Sequence, residues 1–192
     1  MKRGLLLFVM TAFVAFQIQA QSQYNLSSFW MVIKGTSNLH DWESKVTQVH
    51  GYGQLVAEPN NLKAINSLFV EIPVRGIKSP KGSVMDGKTY DALKAGTYPQ
   101  ITYKLTKITA LNNKGGGNFA VGALGDLTMA GVTRQIDLWV TVKVDNYGTI
   151  VISGSKSLKM TDFKISPPTA LLGTLTTGDD VEIAFSVTLG KQ

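Results

Sequence analysis

The feature that most constrains this chain is an apolar residue at every second position, recurring along its length. Leu68, Val70, Ile72 and Val74 share one parity, and Phe69, Glu71 and Arg75 the other. Ile101, Tyr103 and Leu105 oppose Thr102, Lys104 and Thr106. Ile136, Leu138, Val140, Val142 and Val144 oppose Asp137, Trp139, Thr141 and Lys143. Val181, Ile183, Phe185, Val187 and Leu189 oppose Glu182, Ala184, Ser186 and Thr188. A strand turns successive side chains to opposite faces, so each stretch reads as an antiparallel strand with one apolar and one polar face.

Weaker strands fill the gaps. Phe29 to Lys34 is apolar on both parities, which leaves its facing open. Ser44 to Val56 predicts two strands broken near Gly51, and Phe119 to Met129 and Thr149 to Lys159 predict one each. Turn chemistry separates these stretches at Glu58-Pro59-Asn60-Asn61, Asn112 to Gly117, Asp145 to Gly148 and Thr177 to Asp180. One segment breaks the period. Val84 to Ala95 predicts a short helix, with Asp86 helping to cap it, Gly96 ending it and Pro99 restarting an extended chain. Met85, Tyr90 and Leu93 on it serve either as a lid or as ordinary core. Pro167-Pro168 followed by Thr169 to Leu172 predicts a second helical turn.

The expected fold class is therefore all-β, with eight or nine antiparallel strands in one block and a short helical insert. One-sided alternation over that many strands fits a closed barrel or a sandwich. An outer-membrane barrel would invert the faces. Against it stand the chain end Leu189-Gly190-Lys191-Gln192, which lacks a terminal aromatic, the absence of paired Tyr and Trp girdles, and the helical insert.

Composition narrows the class further. The chain has 192 residues and no cysteine, which excludes a disulfide scaffold, a thiolate metal site, a cysteine nucleophile and a lipid-modified cysteine. Lys2 and Arg3, the uncharged run from Leu5 to Phe16, and Ile18-Gln19-Ala20 have the three-part layout of a secretory signal peptide. Residues 1–20 are thus expected to be removed, leaving residues 21–192 as one periplasmic or secreted domain. Cleavage would remove two positive charges and lower the formal charge from +6 to +4. The remaining basic residues are scattered among acids, so nucleic acid is not an expected partner. No later segment is long enough to span a bilayer as a helix.

Several stretches together resemble a known family. They are Gly35-Thr36-Ser37-Asn38-Leu39-His40-Asp41-Trp42; Met85-Asp86 with Leu93 to Ile101; Gly125-Asp126-Leu127-Thr128-Met129-Ala130-Gly131-Val132-Thr133-Arg134; and Asp162-Phe163-Lys164-Ile165-Ser166. Their order and spacing resemble the YceI-like family of exported bacterial proteins over about residues 24 to 189. The resemblance implies a lipocalin-like antiparallel barrel of about eight strands with an elongated apolar cavity. It also implies binding of a polyisoprenoid or fatty-acid derivative, without catalysis. On that reading the ligand contacts are Phe29, Met31, Ile33, Val70, Ile72, Ile101, Tyr103, Leu105, Leu138, Val140, Ile183 and Phe185, with His40 as a polar contact at the mouth. No cofactor is expected beyond a bound isoprenoid or acyl lipid, and the oligomeric state is open, a dimer included.

Other constellations carry competing readings. His40, Asp41 and His50, with Glu43 beside them, could serve a metal-dependent stress protein or an enzyme. Neighbours on a strand diverge, however, so the same residues also read as a strand-entry loop held by hydrogen bonds to backbone. Gly115-Gly116-Gly117 lacks the Lys and Ser/Thr of a phosphate loop and reads as a hairpin tip. Gly122-Ala123-Leu124-Gly125 reads as a bend or as interior space for a ligand. No serine sits in a Gly-x-Ser-x-Gly elbow, and Asp179-Asp180 reads as a turn. Trp139, on the polar parity, either packs under the helix or offers a protein-interaction surface.

Overall fold

The computed structural model describes residues 22–170 and 173–192. The expected signal segment lies outside the described residues. In chain order the elements are β1 (Ser22–Ser37), β2 (Trp42–Val46), β3 (His50–Glu58), β4 (Asn61–Pro73), a 3₁₀ turn (Val74–Gly76), β5 (Ile77–Lys78), α1 (Ser83–Ala92), β6 (Gln100–Gly115), β7 (Asn118–Met129), β8 (Val132–Val144), β9 (Ile150–Lys159), a second 3₁₀ turn (Met160–Phe163), β10 (Thr169–Ala170) and β11 (Leu175–Lys191).

Strands β1, β3, β4, β6, β7, β8, β9 and β11 follow one another around an antiparallel sheet. β11 then pairs with β1 from Tyr24 opposite Lys191 to Ser37 opposite Thr177, which closes the sheet into an eight-strand barrel. Between barrel and sandwich, this pairing decides for the barrel. β2 and β5 extend outward from β1 at one end, and β10 adds two residues beside β11. The apolar parity faces inward: Val142, Val144 and Ile150 are fully buried, whereas Asp137, Trp139, Thr141 and Lys143 are exposed. An outer-membrane barrel needs the reverse. No helix among the described residues is long and apolar enough to cross a membrane.

Register shifts explain where the simple period misled. Phe29 to Lys34 looks apolar on both sides because Val32, on the parity opposite Met31 and Ile33, is also buried; a bulge upstream, between Leu26 and Ser28, moves the inward parity of β1 from Tyr24 and Leu26 to Met31 and Ile33. Shifts after Leu105 and Ile108 do the same in β6. The break expected near Gly51 lies instead at residues 47–49. Gly51 and Gly53 sit inside β3, where a Cβ would lie 3.2 Å from the Phe69 carbonyl and 2.6 Å from that of Ser67. They permit close approach of β4 rather than a break.

Other local expectations are also corrected. The helix is present but Gly82 precedes it, and Asp86 lies inside it without capping. The chain turns back at Lys94, at φ 53°, and not at Gly96. Thr177 to Asp180 lie within β11 rather than turning: Thr177 pairs with Ser37 and Asp180 with Lys159, and Asp179 accepts hydrogen bonds from the amide and hydroxyl of Thr161 at 2.9 and 2.6 Å. Thr169 and Ala170 form a strand, and residues 171–172 of that predicted helical turn lie outside the described residues.

One end of the barrel is packed solid by Tyr24, Leu55, Phe119, Val144, Ile150 and Leu189. At the other end β5, the first 3₁₀ turn and α1 gather around Val46, Val74, Ile77 and Ala95. Phe163, Ile165 and Ala130 form a third small cluster beneath the second 3₁₀ turn.

Candidate functional site

Burial along β8 locates the hollow. Val144 and Val142 are fully buried, but Val140, Leu138 and Ile136, on the same inward parity, are only half-buried. They border a cavity of about 520 Å³ that opens at the α1 end. This is within the range of roughly 300–1,000 Å³ common for small-molecule sites.

The cavity wall is almost wholly aliphatic and aromatic. Of the predicted contacts, Met31 and Ile33 from β1, Val70 and Ile72 from β4, Ile101, Tyr103 and Leu105 from β6, Leu138 and Val140 from β8, and Ile183 and Phe185 from β11 all line it. His40 lines the mouth. Phe29 does not line it: half-buried, it packs between the two larger core clusters. Among the residues missed by sequence reasoning are Ile108, displaced by the β6 bulges, Ala123 of β7, and Ile136, Leu158 and Lys156. The last three share the inward parity of strands already identified, so that signal was present.

The mouth is held by polar bonds. Ser37 Oγ accepts from the amide of His40 at 3.1 Å and donates to its carbonyl at 2.6 Å. Asn38 bridges to β11 by donating to the Thr174 carbonyl at 2.8 Å and accepting from the Thr176 amide at 3.0 Å. Trp42 Nε1 donates to the Thr36 carbonyl at 2.9 Å. The His40 ring Nδ1 lies 2.9 Å from the Asp41 carbonyl oxygen.

α1 crosses the mouth with Met85, Lys88, Thr89, Ala92 and Leu93 facing the cavity. Its position is set by Asp86, whose Oδ1 accepts from the Ser79 amide at 2.7 Å while Oδ2 pairs with Lys78 at 3.3 Å. Those contacts hold the Asp86 carboxyl below the usual carboxylate range, the Ser79 amide contributing most. Lys78 Nζ also donates to the Tyr90 hydroxyl at 2.7 Å, and this bond raises the lysine pKa. The Tyr90 oxygen sits 3.0 Å from the Arg75 carbonyl and 3.2 Å from that of Ile77, so Tyr90 anchors the helix instead of lining the cavity. Lys88 Nζ donates to the Thr169 carbonyl at 2.9 Å, tying the helix to β10.

Inside the barrel, the Tyr103 hydroxyl is buried with no hydrogen-bond partner among the described residues. Burial pushes its pKa up, with a smaller contribution from Asp126. Its ring lies against Gly125, where a Cβ would come within 2.4 Å. The small residues of β7 thus seat aromatics: Gly125 takes Tyr103 on the inside, and Gly122 takes Trp139 on the outside, with a Cβ there 3.2 Å from the indole. Trp139 is 59% exposed and so is not buried under the helix.

The residues of the metal or enzyme reading are not brought together. His40 and Asp41 border the mouth, whereas His50 stands opposite Glu71 in the β3–β4 ladder and does not line the cavity. Among the described residues no group of three or more His, Asp or Glu side chains could hold a metal ion.

The model of the YceI-like domain matches residues 18–189. The chain belongs to the YceI-like family. Solved structures resemble this YceI-like domain at low identity. BcnA from Burkholderia cenocepacia is 21% identical, with a TM-score of 0.60 over 83% of this chain and 95% of that one. A polyisoprenoid binding domain from Saccharophagus degradans is 12% identical, with a TM-score of 0.67 over 90% and 100%. The YceI protein of Campylobacter jejuni is 20% identical, with a TM-score of 0.55 over 100% and 99%. At these identities the likeness establishes the shared YceI-like barrel. No curated protein sequence matches this chain.

Proposed function

We propose that this YceI-like barrel is an exported, non-enzymatic binding protein for a long-chain lipid, an isoprenoid or acyl derivative held along its lumen. The observation that carries the proposal is the cavity of about 520 Å³, walled by aliphatic and aromatic side chains and reached past a helix at one end. A chain buried there leaves water at roughly 0.8 kcal/mol per CH₂, so a tail alone can supply tight binding. The likeness to a domain that binds polyisoprenoid supports the ligand class. Export rests on the layout of residues 1–20 and is read as delivery to the periplasm or the exterior.

Native mass spectrometry of protein purified without added lipid tests the binding. A co-purifying hydrophobic molecule, lost on organic extraction, is expected. An empty protein that also fails to take up isoprenoid and acyl probes would reject the reading. The N-terminal residue of protein recovered from the periplasm or medium tests export, with cleavage after Ala20 expected.

A further inference from the structure

The barrel wall is not continuously bonded. β8 and β9 pair only where Val140–Val144 face Ile150–Gly154. Towards the mouth, residues 132–139 of β8 and 155–159 of β9 form no ladder with each other. The seam has defined ends. At one, Val140 packs at Gly154, where a Cβ would lie 3.0 Å from Val140 Cγ1. At the other, Arg134 Nε donates to the Asp162 carbonyl at 2.9 Å.

Lys156 passes through this seam. It shares the inward parity of Ile152 and Leu158 and lines the cavity, and its side chain is 24% exposed. Its ammonium nevertheless reaches Asp137 Oδ1 at 2.8 Å, a carboxylate on the outer parity of β8 that is 70% exposed. The aliphatic stem thus lies on the lumen and the charge at the opening.

Packing alone does not account for a lysine here. An ion pair with so exposed a partner contributes about 0–1 kcal/mol, and an aliphatic residue would suit the neighbouring wall better. The other charged residues around the cavity are Asp41, Glu43, Lys81 and Lys88. They stand at the mouth with both signs mixed, and Lys88 is committed to Thr169. Along the barrel wall Lys156 is the one charged lining residue among those described. A ligand anion beside it, shielded by apolar wall, would feel its charge more strongly than the water-exposed Asp137 does.

We propose that the lumen ligand is an amphiphile with an anionic head group, a carboxylate or phosphate, and that Lys156 binds this head group at the β8–β9 seam by exchanging Asp137 for it. This inference rests on the lipid-binding reading and narrows it to a charged class of lipid.

The test compares cis-parinaric acid with its methyl ester, by fluorescence, on delipidated protein. Hexadecyl phosphate and hexadecanol serve as competitors that separate phosphate from carboxylate preference. Wild-type protein should bind the acid more tightly than the ester. Lys156→Met should weaken the acid about tenfold, as expected for loss of a charge-assisted hydrogen bond, and leave the ester within about twofold. Asp137→Asn should tighten the acid severalfold, a gain that a merely structural ion pair would not produce. Equal effects on acid and ester, or none on either, overturn the inference while leaving lipid binding intact. Failure of both probes to bind wild-type protein overturns both. Should Lys156→Met fail to fold, Asp137→Asn decides: acid affinity unchanged or weakened overturns the assignment.

Discussion

Replacing Ala123 with phenylalanine asks whether the lumen is hollow. Ala123 points inward from β7, between Ile108 of β6 and Leu138 of β8, and lines the cavity. A phenyl ring carries about 150 Å² at the low end of the aromatic range, and half-burial against one wall of a void gives about 2 kcal/mol. Ordering the side chain costs about 0.5–1 kcal/mol, which leaves a net stabilisation near 1 kcal/mol. In a domain of this size that raises Tm by about 2–4 °C. The same ring takes volume from the ligand, so cis-parinaric acid should bind at least tenfold more weakly. In a filled interior the substitution overpacks instead and costs about 1–3 kcal/mol. The two pictures therefore differ in sign. Urea unfolding of delipidated protein reads the difference, with lipid removed because a bound ligand stabilises by mass action and would mask it. A lower urea midpoint with probe binding intact would refute a hollow lumen.

Three further substitutions probe the structure around the site. Tyr103→Phe removes a buried hydroxyl that has no partner among the described residues and should stabilise the ligand-free protein by about 1 kcal/mol in urea; a loss of that size would show the hydroxyl bonded. Asp86 is held below its unfolded pKa, so its contribution is present above about pH 4 and disappears as the pH falls through the folded value. Asp86→Asn should thus be less stable at neutral pH, with a gap that closes in acid; a gap constant down to pH ~3 would contradict the assignment. Gly117→Ala places a Cβ 2.3 Å from the Val144 carbonyl at φ +76°, on backbone fixed by the Val144 amide donating to Gly117. It should cost about 3 kcal/mol or more, against about 1 kcal/mol for Gly115→Ala, which meets open space; equal costs would disprove the close contact.

Much of the fold was legible because period two assigns each residue to a side, and the sides survive into the barrel. Leu138 and Val140, Ile183 and Phe185, and Val70 and Ile72 all reach the lumen on alternation alone. Alternation did not show closure, because it is common to barrels and sandwiches and the β1–β11 pairing joins the two ends of the described chain; the eight-strand barrel came from the family resemblance, and the structure bears it out. Burial of Val32 on the opposite parity hid the facing of Met31, and the β6 bulges carried Ile108 onto the wall. Asp86 looked like a cap and Asp179 like a turn residue, since both types favour those places. Each is instead claimed by a distant partner, Ser79 with Lys78 and Thr161 respectively. The seam left no mark, because an unpaired edge depends on how two strands diverge and not on which residues they carry.

Alternation also says nothing about how full the inside is, and that divides stability from binding in this chain. Val142 and Val144 are fully buried while Leu138 and Val140, on the same face of the same strand, border empty space. With no cysteine to close a covalent loop, the packed end has to supply the cohesion that the hollow end forgoes. Tyr24, Leu55, Phe119, Ile150 and Leu189 do so at 0–2% exposure. The hollow end can then hold what would be faults in a packed core: a Tyr103 hydroxyl with no partner among the described residues, a lysine on an apolar wall and a seam without backbone pairing. On the anionic-amphiphile proposal, each of these costs the ligand-free barrel stability and each offers a partner to the polar end of a bound lipid. Loss of stability on adding Lys156→Met to Asp137→Asn would show that Lys156 is held for packing; a gain would show that it is held for a ligand.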